Sequence, residues 1–446
     1  MAGAPGESTS VAAAQLPKIA WGKGLVLVDT DGRRYLDGSG GPAVYSLGHG
    51  NEEVNQAIKD QLDRIAHGYR YNFTSDPLEE LTERIGRACG GTLERMVFVS
   101  GGSEAVESAM KLALQYFAAR GEMSRRRFIS RERSWHGNTL GALSLSGFRE
   151  RRLSFEGALV DVPRLSPANV YRPPAGVAPE DVGAYCAREL EDKILELGAA
   201  TVAAFVFEPV VGAAGGVVPA PPGYARRVRE ICDRHGVLMI ADEVMCGAGR
   251  CGTWRALEHD GVFPDIMTVA KGLAGGYLPL GAAIYSAAVA EPIHTVDGGP
   301  QTGHTFTGHT AACAAGVAVQ RIVERDGLVQ RVAVKGEAFR KTLGDALHGI
   351  DAVGDIRGRG FFIGIELVAD RDSKEPFPAE KGLFLKIRSR AMENGLICYP
   401  SGGNVDGIRG DTVILAPPYI ATDGELDEIA GRFAVSLRQA LTDIGH

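Results

Sequence analysis

The chain has 446 residues, of which 45% are hydrophobic and 23% charged. That length suits two or three domains, and the composition excludes a mostly disordered chain. Lys plus Arg number 48 against 55 Asp plus Glu, a net charge of −7, which argues against the broad basic face that nucleic acid requires. The 59 glycines follow no period, which excludes collagen-like and low-complexity chains. No apolar run is long enough to span a bilayer.

Residues 1–15 are small and polar, as expected of a mobile terminus. Met1–Ala20 has no basic stretch leading into an apolar run, so no secretory signal is expected. Residues 25–37 read as two short strands about an Asp31-Gly32 turn, and residues 52–66 as a helix through Val54, Ile58, Leu62 and Ile65. From about residue 78 helix and strand alternate. The helices include Leu78–Cys89, Ser103–Ala119 and Pro222–His235. The strands are Met96–Ser100, Arg127–Arg131, Ala203–Phe207, Val237–Ala241, Ile266–Ala270 and Ala282–Ser286. Such alternation implies a mainly parallel sheet covered on both faces. After about residue 326, helix Leu328–Leu347, strand Gly360–Leu367, helix Gly382–Asn394, strand Thr412–Leu415 and a last helix read as a smaller α+β unit. The domains are therefore expected at 66–326 (large) and 327–446 (small), with 1–65 joining the small one. The seven cysteines form no Cys-x-x-Cys pair, and Cys246 and Cys251 have no second pair at zinc spacing. Reduced thiols of a cytoplasmic protein, with no metal site, are expected.

Three segments carry chemistry. Ser100-Gly101-Gly102-Ser103-Glu104-Ala105 ends a strand and opens a helix, where free N–H groups and the helix dipole attract an anion; Ser103 can equally be a plain helix cap. Ile240-Ala241-Asp242-Glu243-Val244 places two carboxylates at a strand end, where open α/β sheets bind ligands. A carboxylate there suits a cationic ring nitrogen or a metal, or caps a turn. Thr268-Val269-Ala270-Lys271-Gly272 sets a lysine at another strand end, solvated or ready to form a Schiff base. Gly247-Ala248-Gly249-Arg250-Cys251-Gly252 matches G-x-G-x-x-G, but Asp242 and Glu243 precede it and no βαβ pattern frames it, so it is weak evidence of a dinucleotide site.

In this order the segments resemble the class III aminotransferases, pyridoxal-phosphate enzymes of fold type I. The likeness runs from Tyr35-Leu36-Asp37 and Leu47-Gly48-His49 to Ala416-Pro417-Pro418. Lys271-Gly272 follows Asp242 by 29 residues, with Gly249-Arg250 and Gly252 between. The resemblance implies an α/β fold with a large domain on a mainly parallel seven-stranded sheet plus a smaller α+β domain. It implies that Lys271 forms the Schiff base with pyridoxal 5′-phosphate and moves the proton, and that Asp242 pairs with the ring nitrogen. Val244 and Trp135, in Trp135-His136-Gly137, would cover the ring's two faces. Gly102 and Ser103 would hold the phosphate, with Glu208 of Glu208-Pro209 near the cofactor and Arg250 structural. In Gly303–His309, Thr305 matches the residue that reaches the neighbouring subunit's phosphate, so a homodimer with shared active sites, or a tetramer, is expected.

Departures from the family bear on substrate. Ala213 stands where members acting on the far end of ornithine or 4-aminobutyrate carry a Glu. This resembles the ω-amino-acid or amine:pyruvate branch, in which Arg409 would grip a carboxylate unless it is a solvated loop charge. Ala43 falls where amine-transferring members carry a bulky aromatic, which predicts a larger pocket lined by Tyr45, Tyr69, Arg70 and Tyr71. Met245 replaces a Gln and removes one expected hydrogen bond to the cofactor. The expected activity is amine or ω-amino acid to 2-oxo acid transfer, with pyruvate as acceptor, by a ping-pong cycle. The alternatives are an aminomutase, racemase or decarboxylase of the same fold, a nicotinamide-dependent oxidoreductase, and a non-catalytic protein of this fold.

Overall fold

The computed structural model describes residues 16–446, and the expectation for residues 1–15 lies outside the described residues. Three strands come first: β1 (Ile19–Lys23), β2 (Val26–Asp29) and β3 (Arg34–Asp37). Then follow β4 (Leu93–Val99), β5 (Arg127–Arg131), β6 (Arg164–Leu165), β7 (Val202–Phe207), the hairpin β8 (Val210–Val211) and β9 (Val218–Pro219), β10 (Leu238–Asp242), β11 (Ile266–Val269) and β12 (Gly281–Ser286). The last five are β13 (Val353–Arg359), β14 (Phe362–Leu367), β15 (Leu396–Ile397), β16 (Tyr399–Gly402) and β17 (Asp411–Leu415).

Seven strands form one sheet in the order β4-β12-β11-β10-β7-β5-β6. Strand β12 is antiparallel to both neighbours, and β11, β10, β7, β5 and β6 pair in parallel. This is the mainly parallel sheet that the alternating pattern predicts. Alternate side chains enter two cores. Phe205, Phe207, Met239 and Ala241 pack with Leu190, Ala225 and Val228 of the helices Val182–Leu197 and Tyr224–His235. Ala204, Val206, Leu238 and Ile240 pack with Ala105, Ala109 and Leu112 of the helix Gly102–Ala119. With both faces covered, β7 is buried along its whole length, which explains its unbroken apolar sequence. Burying each such Val, Leu, Ile, Phe or Met contributes roughly 1.5–3 kcal/mol.

Strands β13, β14, β17 and β16 make an antiparallel four-stranded sheet. A further sheet has the order β1-β2-β3-β15, in which Leu36 pairs with Leu396. Leu25, Leu36 and Val54 share a core with Phe339, Ile365 and Phe433, so the first described strands pack with the last third of the chain. No helix among the described residues is long and apolar enough to cross a membrane.

One carboxyl in the antiparallel sheet is under electrostatic load. Asp411 opens β17, is 5% exposed, and accepts a hydrogen bond from the Phe384 N–H at 2.9 Å. Burial pushes its pKa up to about 6. The folded state therefore holds this proton more tightly than the unfolded chain does. The associated stability is complete below the unfolded value near 3.8 and is lost as pH rises through 6. Asp411→Asn keeps an acceptor for Phe384 and carries no charge. Denaturant unfolding should show the variant gaining on the wild type between pH 4 and pH 7, by up to about 3 kcal/mol. A gap that is constant with pH would contradict this.

Candidate active site

The parallel strands all end at one edge of the large sheet. Gly102, Ser103, Trp135, Glu208, Asp242, Val244 and Lys271, which follow or end five of these strands, line one cavity of about 360 Å³. Thr305 aside, these are the residues predicted to hold the cofactor.

At one end of the cavity the helix Gly102–Ala119 begins, directly after Gly101 in extended conformation. Ser103 lies inside the first turn and does not cap it; its hydroxyl accepts the Asn138 N–H at 2.9 Å. Glu104 instead turns back and accepts the Ser100 N–H at 2.8 Å. A Cβ on Gly102 would lie 2.7 Å from Val244 Cγ1. Glycine there lets the helix start close against Val244.

Asp242 is 3% exposed and well supplied with donors. Its Oδ1 accepts from Thr268 Oγ1 at 3.0 Å and from the Val244 N–H at 3.1 Å. Its Oδ2 accepts from His136 Nδ1 at 2.8 Å. A carboxylate donates nothing, so His136 carries its proton on Nδ1, and its buried Nε2 is left without a partner. Three donors occupy the carboxylate of Asp242, and lone-pair capacity remains for a fourth. His136 and Thr268 sit within the Trp135-His136-Gly137 and Thr268–Gly272 motifs, but neither motif assigns them a role of their own.

Lys271 has φ 48°, the left-handed region. For a side chain with a Cβ this conformation costs about 1–3 kcal/mol. Burial holds its ammonium below the usual lysine range, against the opposing pull of Asp242 and Glu208. Glu208 is itself raised by burial, and spans two backbone segments. Its Oε1 accepts the Trp135 N–H at 2.9 Å, and its Oε2 accepts the Gly212 N–H at 2.8 Å. Trp135 packs edge-on against Phe148, with ring centroids 5.8 Å apart.

The glycine-rich run after Asp242 is a set of turns from which only a short 3-10 turn at Ala256–Asp260, and no α-helix, starts. The dinucleotide fingerprint needs such a helix, so this reading of Gly247–Gly252 fails. Glu243 is buried, accepts the N–H groups of Ala256 and Leu257, and has its pKa pushed up to about 7 by burial. Arg250 is fully buried over the Tyr419 ring and donates to the carbonyls of Phe361 (3.2 Å) and Pro417 (2.6 Å). It ties this loop to the C-terminal third, a structural role.

The residues expected to line the substrate pocket, and Thr305, fall outside the cavity wall. Ala43 is 2% exposed and packs with Val210, Cys246 and Ile414; its backbone is left-handed (φ 62°), and Val44 lines the cavity in its place. Tyr45 is half-buried against the His49 ring, 4.5 Å away. Tyr69 and Tyr71 are exposed, and Tyr71 lies by Arg70. Arg409 is on the surface, where Asp406 and Glu375 pair with it at 2.8 and 2.9 Å and hold it in its own loop. Thr305 is exposed on the loop after Gly303, and its carbonyl accepts from His67 Nε2 at 3.1 Å.

The chain matches the class-III aminotransferase family over residues 10–437. An uncharacterised aminotransferase of Bacillus subtilis (strain 168), YodT, is 41% identical over 418 residues, 94% of each chain. The adenosylmethionine-8-amino-7-oxononanoate aminotransferase of Nitratidesulfovibrio vulgaris is 36% identical over 90% of this chain and 73% of its own. Among solved structures, a PLP-bound amine transaminase from an uncultivated Pseudomonas species superposes with a TM-score of 0.90 at 35% identity, covering 98% of this chain and 97% of that one. This chain belongs to the class III aminotransferases. It is a pyridoxal-phosphate-dependent enzyme of that family, with the fold of the PLP-dependent transaminases.

Proposed function

We propose that the protein moves an amino group from an amine or ω-amino acid to a 2-oxo acid, with pyruvate as acceptor, in two half-reactions that share one site. The observation that carries this reading is the meeting of Lys271, with its lowered pKa, and Asp242, with its three donors, in one cavity. The wall supports an amine donor over a dicarboxylate. Ala213, Val44, Met245 and Leu278 line it, and among the described residues it contains no arginine.

The donor set fits pyridoxal 5′-phosphate. The N–H groups at Gly102 and Ser103 suit the phosphate. Asp242 suits a protonated ring nitrogen, and Val244 and Trp135 offer apolar side chains to the ring. When bound, the coenzyme supplies an aldehyde that takes up amines and a cationic ring that accepts an electron pair. Lys271, whose ammonium burial disfavours, would hold the coenzyme through its Nζ. The same Nζ, freed once an amine donor binds, would be the base that moves the proton of the substrate carbon. Asp242 would hold the proton of the ring nitrogen, with His136 and Thr268 fixing its carboxylate. Glu208 positions the backbone of Trp135 and Gly212.

The reading includes a homodimer. Thr305 projects from the single chain, and Tyr71 (79%), Phe73 (69%) and Phe306 (56%) expose apolar rings, with Phe306 against His67. A second copy covering this surface would bring Thr305 to the neighbouring site.

The test is an assay of purified holoenzyme with a panel of primary amines and ω-amino acids against pyruvate and 2-oxoglutarate. Equal molar amounts of new carbonyl compound and alanine are expected. Products with the nitrogen still in the donor skeleton, or carbon dioxide release without a new amino acid, would replace this reading by mutase, racemase or decarboxylase chemistry.

A further inference from the structure

We propose that Arg357, on β13 of the four-stranded sheet, is the positioning residue that sets the cavity wall at Gly212–Val217 and thereby how the substrate is held; this rests on the function proposed above. The wall segment joins β8 to β9 and carries Ala213 into the cavity. It is folded on itself: the Gly212 carbonyl accepts from the N–H groups of Gly216 (3.0 Å) and Val217 (3.2 Å), and Val217 is left-handed, at φ 56°. Its first residue is fixed from inside the site by Glu208. Its far end is fixed from outside. Arg357 Nη2 donates to the Gly215 carbonyl at 2.8 Å and Nε to the Val217 carbonyl at 2.9 Å.

The guanidinium is locked in turn. Its Nη1 donates to Asp355 at 3.0 Å and to Glu366 at 2.7 Å. Glu366 on β14 is fully buried and is held on its other oxygen by Arg172. The strand also leaves no room for the segment to drift, since a Cβ on Gly364 would lie 2.2 Å from the Gly216 carbonyl oxygen. Only a planar fork reaches two carbonyls and two carboxylates at once. Gly102, Ser103, Asp242 and Lys271, on the coenzyme side of the cavity, receive none of the Arg357 bonds. Arg357 should therefore act on substrate binding and leave coenzyme binding alone.

Arg357→Lys tests this in the holoenzyme, because lysine keeps the charge beside Glu366 but cannot span both carbonyls. The expected result is a KM for the amine donor raised about tenfold, with kcat within about threefold. The coenzyme absorption band and its affinity should not change. Hydrogen exchange at the Gly215–Val217 amides should accelerate about tenfold, while the peptide from Asp242 to Lys271 is unaffected. A KM and exchange rate equal to wild type, or a loss of coenzyme affinity that accounts for the KM, would overturn the proposal. If the lysine variant does not fold, Gly215→Ala disturbs the same segment without touching its charges, by placing a Cβ 3.0 Å from Val211 Cγ1 and 3.2 Å from Val218 Cγ2. It should reproduce the selective rise in KM, and an unchanged KM would count against the wall's role. The exchange measurement needs no turnover, so a wild type that transfers no amine removes the functional reading without deciding the fate of Arg357.

Discussion

Lys271→Ala is expected to lower multiple-turnover amine transfer by about 10⁴-fold or more, because one nitrogen serves two steps. The variant should still fold and bind coenzyme, through Gly102, Ser103 and Asp242. Relief of the left-handed strain at φ 48° is small, since alanine pays a similar cost there. Added small amines should restore part of the rate, as they supply a mobile base where Nζ stood. Full turnover in Lys271→Ala would remove the lysine from the mechanism.

The second large effect is expected from Asp242→Asn. Asparagine keeps an oxygen for Thr268 and Val244, so the local geometry survives. What disappears is the buried negative charge. Its Nδ2 would face His136 Nδ1, which must then change tautomer to accept. Without a carboxylate the ring nitrogen's proton is no longer held, and the electron pair left by C–H cleavage has a poorer sink. A fall in kcat of about 10³-fold is expected, equivalent to about 4 kcal/mol of barrier. The loss should fall on kcat, with coenzyme affinity changed much less. Rapid-mixing measurement of the first half-reaction checks this. A variant within tenfold of wild type would show that the charge does not act on the ring.

The strand ends are readable in the sequence because each is a short, mostly apolar run that stops at or just before a charged residue: β7 before Glu208, β10 at Asp242, β11 shortly before Lys271. What binds those ends together is invisible to any local pattern. His136 and Asp242 are 106 positions apart, and Arg357 and Gly215 are 142 apart. Strands of two residues, such as β6, β8, β9 and β15, are too short to show a period. The half-buried β13, Val-Gly-Asp-Ile-Arg-Gly-Arg, hides its strand character behind charges that pair inside the fold. Ala43 and Arg409 lie outside the cavity wall for local reasons. A positive φ turns Ala43 into the core, and Asp406 keeps Arg409 within its own loop. Neither effect leaves a mark in residue type or spacing.

The claim on which the rest depends is that Lys271 is the nitrogen that holds the coenzyme. Reduction of the holoenzyme with borohydride, followed by proteolysis and mass spectrometry, measures it directly. The expected result is one pyridoxyl group per chain, located on Lys271, and its absence after prior saturation with an amine donor. Label on a different lysine, or no stable label in protein that retains its coenzyme absorbance, would contradict the account.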